Sequence, residues 1–113
     1  MLKQLIYDTT LVINLNNLIA NLTYFKGKLD PKTKIMVMVK AFSYGLGTYQ
    51  VAKILEDNEV DYLGVAYVDE GVTLRQQGIQ LPIMVMNTAI HELEILCQHN
   101  LEPVVYSFFM LFL

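Results

Sequence analysis

The sequence predicts an α/β fold in which short strands alternate with helices along the chain. Short apolar runs that follow polar turns are typical of buried strands, and they alternate with segments whose apolar residues recur at the helical period. Strands separated by helices in this way pair in parallel through right-handed crossovers. The 113 residues have the size of one domain. We therefore expect one parallel sheet with helices packed against it.

Caps, stops and turn residues set the order of the elements. Asn14 and Thr48 can each cap a helix, Gly27 and Gly78 can end one, and Pro82 can open a strand but cannot lie inside it. In chain order, the expected elements are an extended piece at 11–14, a helix at about 15–25, a strand at about 34–40, a helix at 48–57, a strand at 62–67, a helix at 69–77, a strand at 83–86, a helix at 89–98 and a strand at 104–106.

The buried faces of these elements also follow from the pattern. In the second strand, Gly64 and Ala66 indicate a close approach of backbone on one face. Asp69 lies at the positive end of the following helix, and Pro103 opens the last strand. The helix at 48–57 should bury Val51, Ile54 and Leu55, and the helix at 89–98 should bury Ile90, Leu93, Leu96 and Cys97.

Composition excludes some classes of partner. Hydrophobic residues make up 54% of the chain, charged residues make up 17%, and the mean hydropathy is +0.38, so some apolar surface should be exposed. The net charge is −3 and the eight Lys and Arg residues are scattered, which argues against nucleic acid. The apolar tract 104–113 is about half the length of a membrane helix, which argues against a membrane partner.

The compartment is expected to be the cytoplasm. The apolar patch near the start of the chain is interrupted by Asp8 before it reaches the length of a secretory signal. Cys97 is the single cysteine and cannot form an internal disulfide, which suits a reducing environment, and we expect it to be a small buried hydrophobe.

Lys40 is the residue that most needs an explanation. It lies where the apolar strand should end, and a desolvated lysine is the usual amine for Schiff-base chemistry. Gly45 and Gly47 allow positive φ before the next helix, so the segment could form an anion site in a βα loop. The alternative is a solvated lysine beside an ordinary loop. The glycine spacing matches neither the dinucleotide fingerprint nor the Walker loop.

Other candidate groups carry less information. His91 and His99 are too far apart in sequence for a helical metal pair, and we predict surface histidines and no metal site. Asp69 and Glu70 diverge as neighbours on a helix, so they do not form an acid/base pair. Arg75 is expected to be a structural ion-pair partner or a solvated helix end.

The segment 39–47, Val-Lys-Ala-Phe-Ser-Tyr-Gly-Leu-Gly, resembles the pyridoxal-phosphate signature of the alanine racemases. The likeness extends over about 9–107 and is greatest to racemases fused behind a muramoyl-peptide ligase. It includes Asn14, Leu15, Leu18 and Asn21 in the first helix region, Gly64, Val65, Ala66, Glu70, Leu74, Arg75 and Gly78 in the second unit, and Pro82 to Val85 in the third. Leu46 replaces the family's usual histidine, and Phe42 and Ser43 replace small or amide residues.

The resemblance implies a partial (β/α) TIM-type barrel with about four parallel strands and flanking helices. Residues 1–113 would be its N-terminal, cofactor-binding part, and 108–113 would be an aberrant or truncated end, or a hydrophobic helix cut after its first turns. Lys40 would be the catalytic residue and would hold pyridoxal 5'-phosphate, while Tyr44 would donate a hydrogen bond to its phosphate. Without the resemblance, a loop tyrosine packed on a helix would be the ordinary interpretation of Tyr44.

The implied activity is interconversion of L-alanine and D-alanine for peptidoglycan synthesis. The full-length family is expected to form homodimers in which the partner subunit supplies a second base, a tyrosine. That residue and an arginine facing the cofactor belong to parts of the family that this chain does not contain, so we expect these 113 residues alone to be nearly inactive. Two alternatives are another pyridoxal-phosphate barrel, such as a decarboxylase or a cofactor-homeostasis protein, and a non-catalytic fragment with an exposed barrel edge.

Overall fold

The chain forms a parallel four-stranded sheet with helices between the strands. The structure, a computed structural model, describes residues 9–112, so the apolar patch before Asp8 lies outside the described residues. In chain order the elements are α1 (Leu15–Lys26), β1 (Met36–Met38), α2 (Lys40–Gly45), α3 (Thr48–Asp57), β2 (Tyr62–Val65), α4 (Val68–Gln76), β3 (Ile83–Val85), a 3-10 turn (Ile90–Glu92), α5 (Leu93–Gln98), β4 (Glu102–Pro103) and α6 (Phe108–Leu111).

The order of the strands in the sheet is the order of the strands in the chain. β1 pairs with β2, β2 with β3 and β3 with β4, and every pair is parallel. The register places Met38, Gly64, Met84 and Glu102 in one row across the sheet. The predicted parallel pairing and the predicted number of strands are therefore confirmed.

One face of the sheet carries the hydrophobic core. Val39, Leu63, Val65, Ile83 and Val85 are fully buried, and they pack with helix residues Val51, Ala52, Leu55, Leu74 and Leu96. Side chains alternate between the faces of a strand, so Met36, Met38, Tyr62 and Met84 lie on the opposite face, which we call the inner face. Met36 is 42% exposed there, in contrast to the fully buried core residues.

Several local predictions are confirmed. Asn14 caps α1, because its Oδ1 accepts from the N–H groups of Asn16 at 3.0 Å and Asn17 at 3.3 Å. Gly78 follows the end of α4 with φ +93°. The predicted close approach at Gly64 comes from a side chain rather than from backbone, because a Cβ added there would collide with the Sδ atom of Met38.

The N-cap prediction for α3 is wrong by one residue. Gly47, with φ +95°, is the N-cap, and Thr48 is the first helical residue, with no capping hydrogen bond from a side chain at the N-cap. The chain needs positive φ immediately before the helix, and glycine meets that need at little cost. The turn therefore ends one residue earlier than the threonine suggested.

The last predicted helix and strand also differ from the structure. The helix begins as the 3-10 turn, and Ile90 and Cys97 are exposed rather than buried, while Leu96 is buried as expected. β4 lies at Glu102–Pro103 instead of 104–106. Pro103 can lie in β4 because successive N–H groups of a strand point to opposite sides. The Val104 N–H faces β3 and donates to Val85 O at 2.9 Å, so an N–H at position 103 would face away from β3 and is not needed for pairing.

The end of the described chain is a short apolar helix. Ser107 caps α6 by accepting from the Met110 N–H at 3.3 Å, and Met110 is buried. Phe108, Phe109, Leu111 and Phe112 are exposed by 59–82%. The prediction that 108–113 is an aberrant or truncated end stays a prediction. No helix within residues 9–112 has the length and apolarity needed to cross a membrane.

Candidate active site

Lys40 lies at the carboxyl rim of the sheet, which we define as the loops that follow the strands. The strand before it is tied to the sheet, because the Val39 N–H donates to Gly64 O at 2.8 Å and Val39 is fully buried. Lys40 itself is half-buried, and its ammonium makes no hydrogen bond or ion pair with any residue in 9–112. Lys40 lies two residues after Met38, and side chains two residues apart in an extended chain point to the same face, so its side chain is expected on the inner face. No carboxylate in the described chain therefore pairs with this amine.

The segment after Lys40 is a left-handed turn. Ala41, Phe42, Ser43 and Tyr44 have φ between 50° and 57° and ψ between 36° and 54°. Left-handed helical conformation costs roughly 1–2 kcal/mol for each L-residue that has a side chain. Four such residues in succession are a strained feature, and strain of this kind is concentrated at functional sites.

Hydrogen bonds inside the turn hold part of this conformation. The Ser43 N–H donates to Val39 O at 3.1 Å, and the Gly47 N–H donates to Phe42 O at 2.9 Å. Gly45 and Gly47 also have positive φ, +88° and +95°, so the chain leaves the turn through residues that tolerate it. The sequence predicted positive φ at these glycines but not at the four residues before them.

Tyr44 lies on the outside of the turn. It is 65% exposed, so it does not pack beneath a helix, and its hydroxyl is open to a ligand. The hydroxyl of Ser43, in contrast, is buried and has no hydrogen-bond partner among the described residues. The structure therefore places Lys40 and Tyr44 on one short turn, as the sequence suggested.

Glu70 connects the turn to the next loop, a role that the sequence did not reveal. Its Oε2 accepts from the Ala41 N–H at 2.8 Å, and its Oε1 accepts from the N–H groups of Ala66 at 2.9 Å and Tyr67 at 3.0 Å. A glutamate at the third position of a helix is the usual partner of a free N–H at the helix start, which was the one available signal. No pattern in the sequence indicated the second contact, to Ala41.

Arg75 is neither an ion-pair partner nor a solvated helix end. It donates to four backbone carbonyls, those of His99 at 2.9 Å, Ile79 at 2.8 Å, Leu81 at 2.7 Å and Asn100 at 3.0 Å. Burial lowers the pKa of this guanidinium relative to its ordinary value. Arg75 therefore fastens the loops that precede β3 and β4, and it has no part in the rim that carries Lys40.

The two histidines both follow β3 in the chain, one in the 3-10 turn and one at the end of α5. His91 is exposed, and His99 contributes its carbonyl to the contact with Arg75. Within residues 9–112, no group of three or more histidine, cysteine, aspartate or glutamate side chains could hold a metal ion.

The comparison with protein families decides the class of this chain. A family model described as "Alanine racemase, N-terminal domain" matches residues 13–111. The chain belongs to the alanine racemase N-terminal domain family. The match favours this family over the decarboxylase and cofactor-homeostasis families, and it extends into the apolar segment 108–113.

Alanine racemase sequences and structures give the same result. The chain is 40% identical over 97 residues to the alanine racemase of Clostridium kluyveri, covering 85% of this chain and 25% of that protein. The solved alanine racemase of Clostridium difficile 630 superposes with a TM-score of 0.82 at 44% identity, covering 84% of this chain and 26% of that chain. A Bacillus anthracis alanine racemase structure with bound L-Ala-P gives a TM-score of 0.79 at 28% identity, covering 82% of this chain and 24% of that chain.

The chain spans about a quarter of the length of the curated relatives that it matches, with coverage of 25%, 21% and 27% in three of them. The predicted family and the partial (β/α) barrel are confirmed by these matches and by the parallel sheet. The special likeness to ligase-fused racemases stays a prediction.

Proposed function

We propose that this chain is the lysine-bearing part of a pyridoxal-phosphate-dependent alanine racemase. The observation that carries the proposal is the position of Lys40, which follows β1 at the carboxyl rim, begins a strained left-handed turn and has no ionic partner among the described residues. A primary amine held in this way is suited to reaction with an aldehyde. Family membership supports the same role.

The residues on the turn fit the two ends of the cofactor. Lys40 would hold it covalently, and the exposed hydroxyl of Tyr44 would donate a hydrogen bond to a phosphate oxygen. When bound, pyridoxal phosphate supplies an electron sink for removal of the α-proton of an amino acid. The proposal assigns no further phosphate contact to this chain.

Lys40 has two tasks in this proposal. Its ε-amine would hold the cofactor through the aldehyde group. The same amine would take up or return the α-proton on one face of a bound amino acid. Racemisation needs a base on the other face, which the family would place in the remaining three quarters of its length and in a partner subunit.

The substrate proposed for the whole protein is alanine, and the proposed assembly is a homodimer. Alone, these 113 residues should turn over L-alanine slowly or not at all, because the proposed second base lies outside them. Circular dichroism of L-alanine incubated with the purified chain and cofactor would check this. Measurable racemisation would show that one base with solvent is sufficient.

Cofactor binding can be tested by absorbance. Adding pyridoxal phosphate to the chain should produce a visible band that is lost in Lys40→Arg, which keeps the positive charge but is a very poor nucleophile. Lys32→Arg, at an exposed lysine before β1, is the matched control and should keep the band. A band of equal size in all three proteins would argue against the proposed role of Lys40.

A second candidate is a non-catalytic barrel fragment that associates through apolar surface. The observation in its favour is the exposure of Phe108 by 80%, Phe109 by 68% and Phe112 by 82%. Sizing of the purified chain with and without cofactor separates the candidates. A large oligomer with no visible band would favour the fragment.

A further inference from the structure

Glu70 is the only described residue whose carboxylate joins two loops of the carboxyl rim. One oxygen, Oε2, accepts from Ala41 in the turn after β1, and the other, Oε1, accepts from Ala66 and Tyr67 in the loop after β2. The three distances lie between 2.8 and 3.0 Å. Both oxygens therefore accept hydrogen bonds, one from the loop after β1 and the other from the loop after β2.

The turn has few other attachments. In the described chain, the Ala41 N–H is the only hydrogen-bonding group of Lys40–Gly45 that reaches a residue outside 39–47. A cavity of about 220 Å³ lies beside the turn and separates part of it from α4, and its lining consists of Ala41, Phe42, Thr48, Asp69, Glu70 and Thr73. Hydrogen bonding across this gap thus depends on one carboxylate.

The bonded peptide is the one that directly follows Lys40. The N–H of Ala41 and the carbonyl of Lys40 belong to the same planar unit. Fixing that plane restricts the backbone dihedral angle ψ of Lys40 and therefore the direction in which its side chain leaves the rim. The next four residues have left-handed backbone conformations that cost free energy, so without this hydrogen bond the turn would shift towards a less strained conformation.

We propose that Glu70 is a positioning residue that anchors the left-handed turn and so aims the Lys40 amine at the cofactor. This inference rests on the proposed function for its chemical consequence, since it deepens the role of the same lysine. Glu70 does not touch the reacting atoms. It acts through the backbone of Ala41.

Glu70→Gln is the sharpest variant, because glutamine has the same shape but only one acceptor oxygen. If that oxygen keeps accepting from Ala66 and Tyr67, the NH₂ group of the glutamine faces the Ala41 N–H. Both of these groups are donors, so they cannot form a hydrogen bond with each other. The cap of α4 can then survive while the anchor of the turn is lost. Protection of the amides in α4 reports whether the cap and the fold remain.

Glu56→Gln is the matched control. Glu56 also accepts from backbone N–H groups, those of Gln80 at 2.7 Å and Leu81 at 3.2 Å. These groups precede β3, at the end of the strands opposite to the carboxyl rim. Both bind Oε1, and glutamine retains that acceptor, so the control removes the charge of a backbone-bonded carboxylate without touching the turn.

The experiment has two readouts on the full 113-residue chain. The first is amide hydrogen exchange of residues 41–44 without cofactor, which should become about tenfold faster in Glu70→Gln and stay unchanged in Glu56→Gln. The second is the ratio of pyridoxal phosphate trapped by borohydride on Lys40 to that on exposed Lys32, measured by peptide mass spectrometry. This ratio should fall about tenfold in Glu70→Gln only.

Each outcome decides a separate point. Unchanged exchange in Glu70→Gln would overturn the anchor, and faster exchange with an unchanged trapping ratio would overturn the positioning role. If the unsubstituted chain traps no cofactor on Lys40, the proposed function fails, and the exchange readout still decides whether Glu70 anchors the turn.

Discussion

The two rims of the sheet are stabilised in different ways. At the amino rim, formed by the loops that precede the strands, side chains satisfy the backbone directly. The Ile35 N–H donates to Asp61 Oδ2 at 2.7 Å, and the Lys26 ammonium donates to the carbonyls of Asn58 at 2.6 Å and Glu59 at 3.3 Å. Arg75 adds its four carbonyl contacts, so this rim is densely bonded.

The carboxyl rim has fewer such hydrogen bonds and leaves some polar groups without a partner in the described chain. It contains the left-handed turn after Lys40 and the buried hydroxyls of Ser43 and Thr88, neither of which has a partner among the described residues. Glu70 is its main bridge. The comparison indicates that the amino rim serves stability, while the carboxyl rim carries strain and unsatisfied groups that suit a binding site, as is usual for (β/α) barrels.

The largest stability effect should come from Arg75→Met, at the amino rim. Methionine keeps an apolar stem of similar length but leaves four carbonyls without their donor. We expect a loss of about 3 kcal/mol in the free energy of unfolding, measured with urea. Lys53→Met, at a half-exposed lysine that pairs with Glu56 and Asp57, is the control and should change stability little. A loss in Arg75→Met no greater than in the control would refute the stabilising role of the amino rim.

Glu56→Gln should cost about 1.5 kcal/mol, because an uncharged acceptor bonds Gln80 and Leu81 more weakly and the amide group cannot pair with Lys53. Burial raises the pKa of Glu56, but hydrogen bonds from Gln80, Lys53 and Leu81 outweigh that effect and lower the pKa below its ordinary value. The unfolded chain therefore takes up this proton first as the pH falls, so the contribution is present at neutral pH and is lost in acid. Urea unfolding at several pH values should show that the free energy of unfolding falls less steeply with decreasing pH in Glu56→Gln than in the unsubstituted chain. The same pH dependence in both proteins would contradict this account.

Tyr44→Phe should weaken pyridoxal phosphate binding about fivefold, equivalent to about 1 kcal/mol, and leave stability unchanged. The side chain is 65% exposed, so only a ligand contact is lost. Equilibrium titration of the visible band measures the affinity, and Tyr24→Phe, at an exposed tyrosine of α1, is the control. Equal affinities of both variants would remove Tyr44 from the site.

Ser43→Ala should have the smallest effect and the opposite sign. The hydroxyl of Ser43 is buried without a partner in the described chain, so its removal should raise the free energy of unfolding by about 0.5 kcal/mol. Denaturant unfolding with replicate measurements checks this change. A clear destabilisation would mean that the hydroxyl has a partner that stabilises the turn.

The sequence predicted the sheet well because its strands are short apolar runs with clear turns between them. It predicted Lys40 and Tyr44 because the signature segment is contiguous. It did not predict the left-handed conformation of residues 41–44, because alanine, phenylalanine, serine and tyrosine have no local preference for it. The contact of Glu70 with Ala41 was missed for a related reason, since 29 positions separate the two residues and only the fold brings them together.

The shift of β4 and the exposure of Cys97 have a different cause. β4 is an edge strand of the sheet, and Cys97 lies on α5, the helix before it. A helical period places Cys97 beside Leu96, but the two face different directions on α5, and only Leu96 reaches the core. Periodicity over six residues was too short to separate them.

The most direct test of the central claim is to identify the lysine that takes up pyridoxal phosphate. The chain would be incubated with the cofactor, reduced with borohydride, digested and mapped by mass spectrometry, in parallel with Lys40→Ala. The account predicts that the label is concentrated on Lys40 and disappears from the variant, whose urea unfolding is unchanged. A label spread over the exposed lysines, to the same total extent in both proteins, would contradict it.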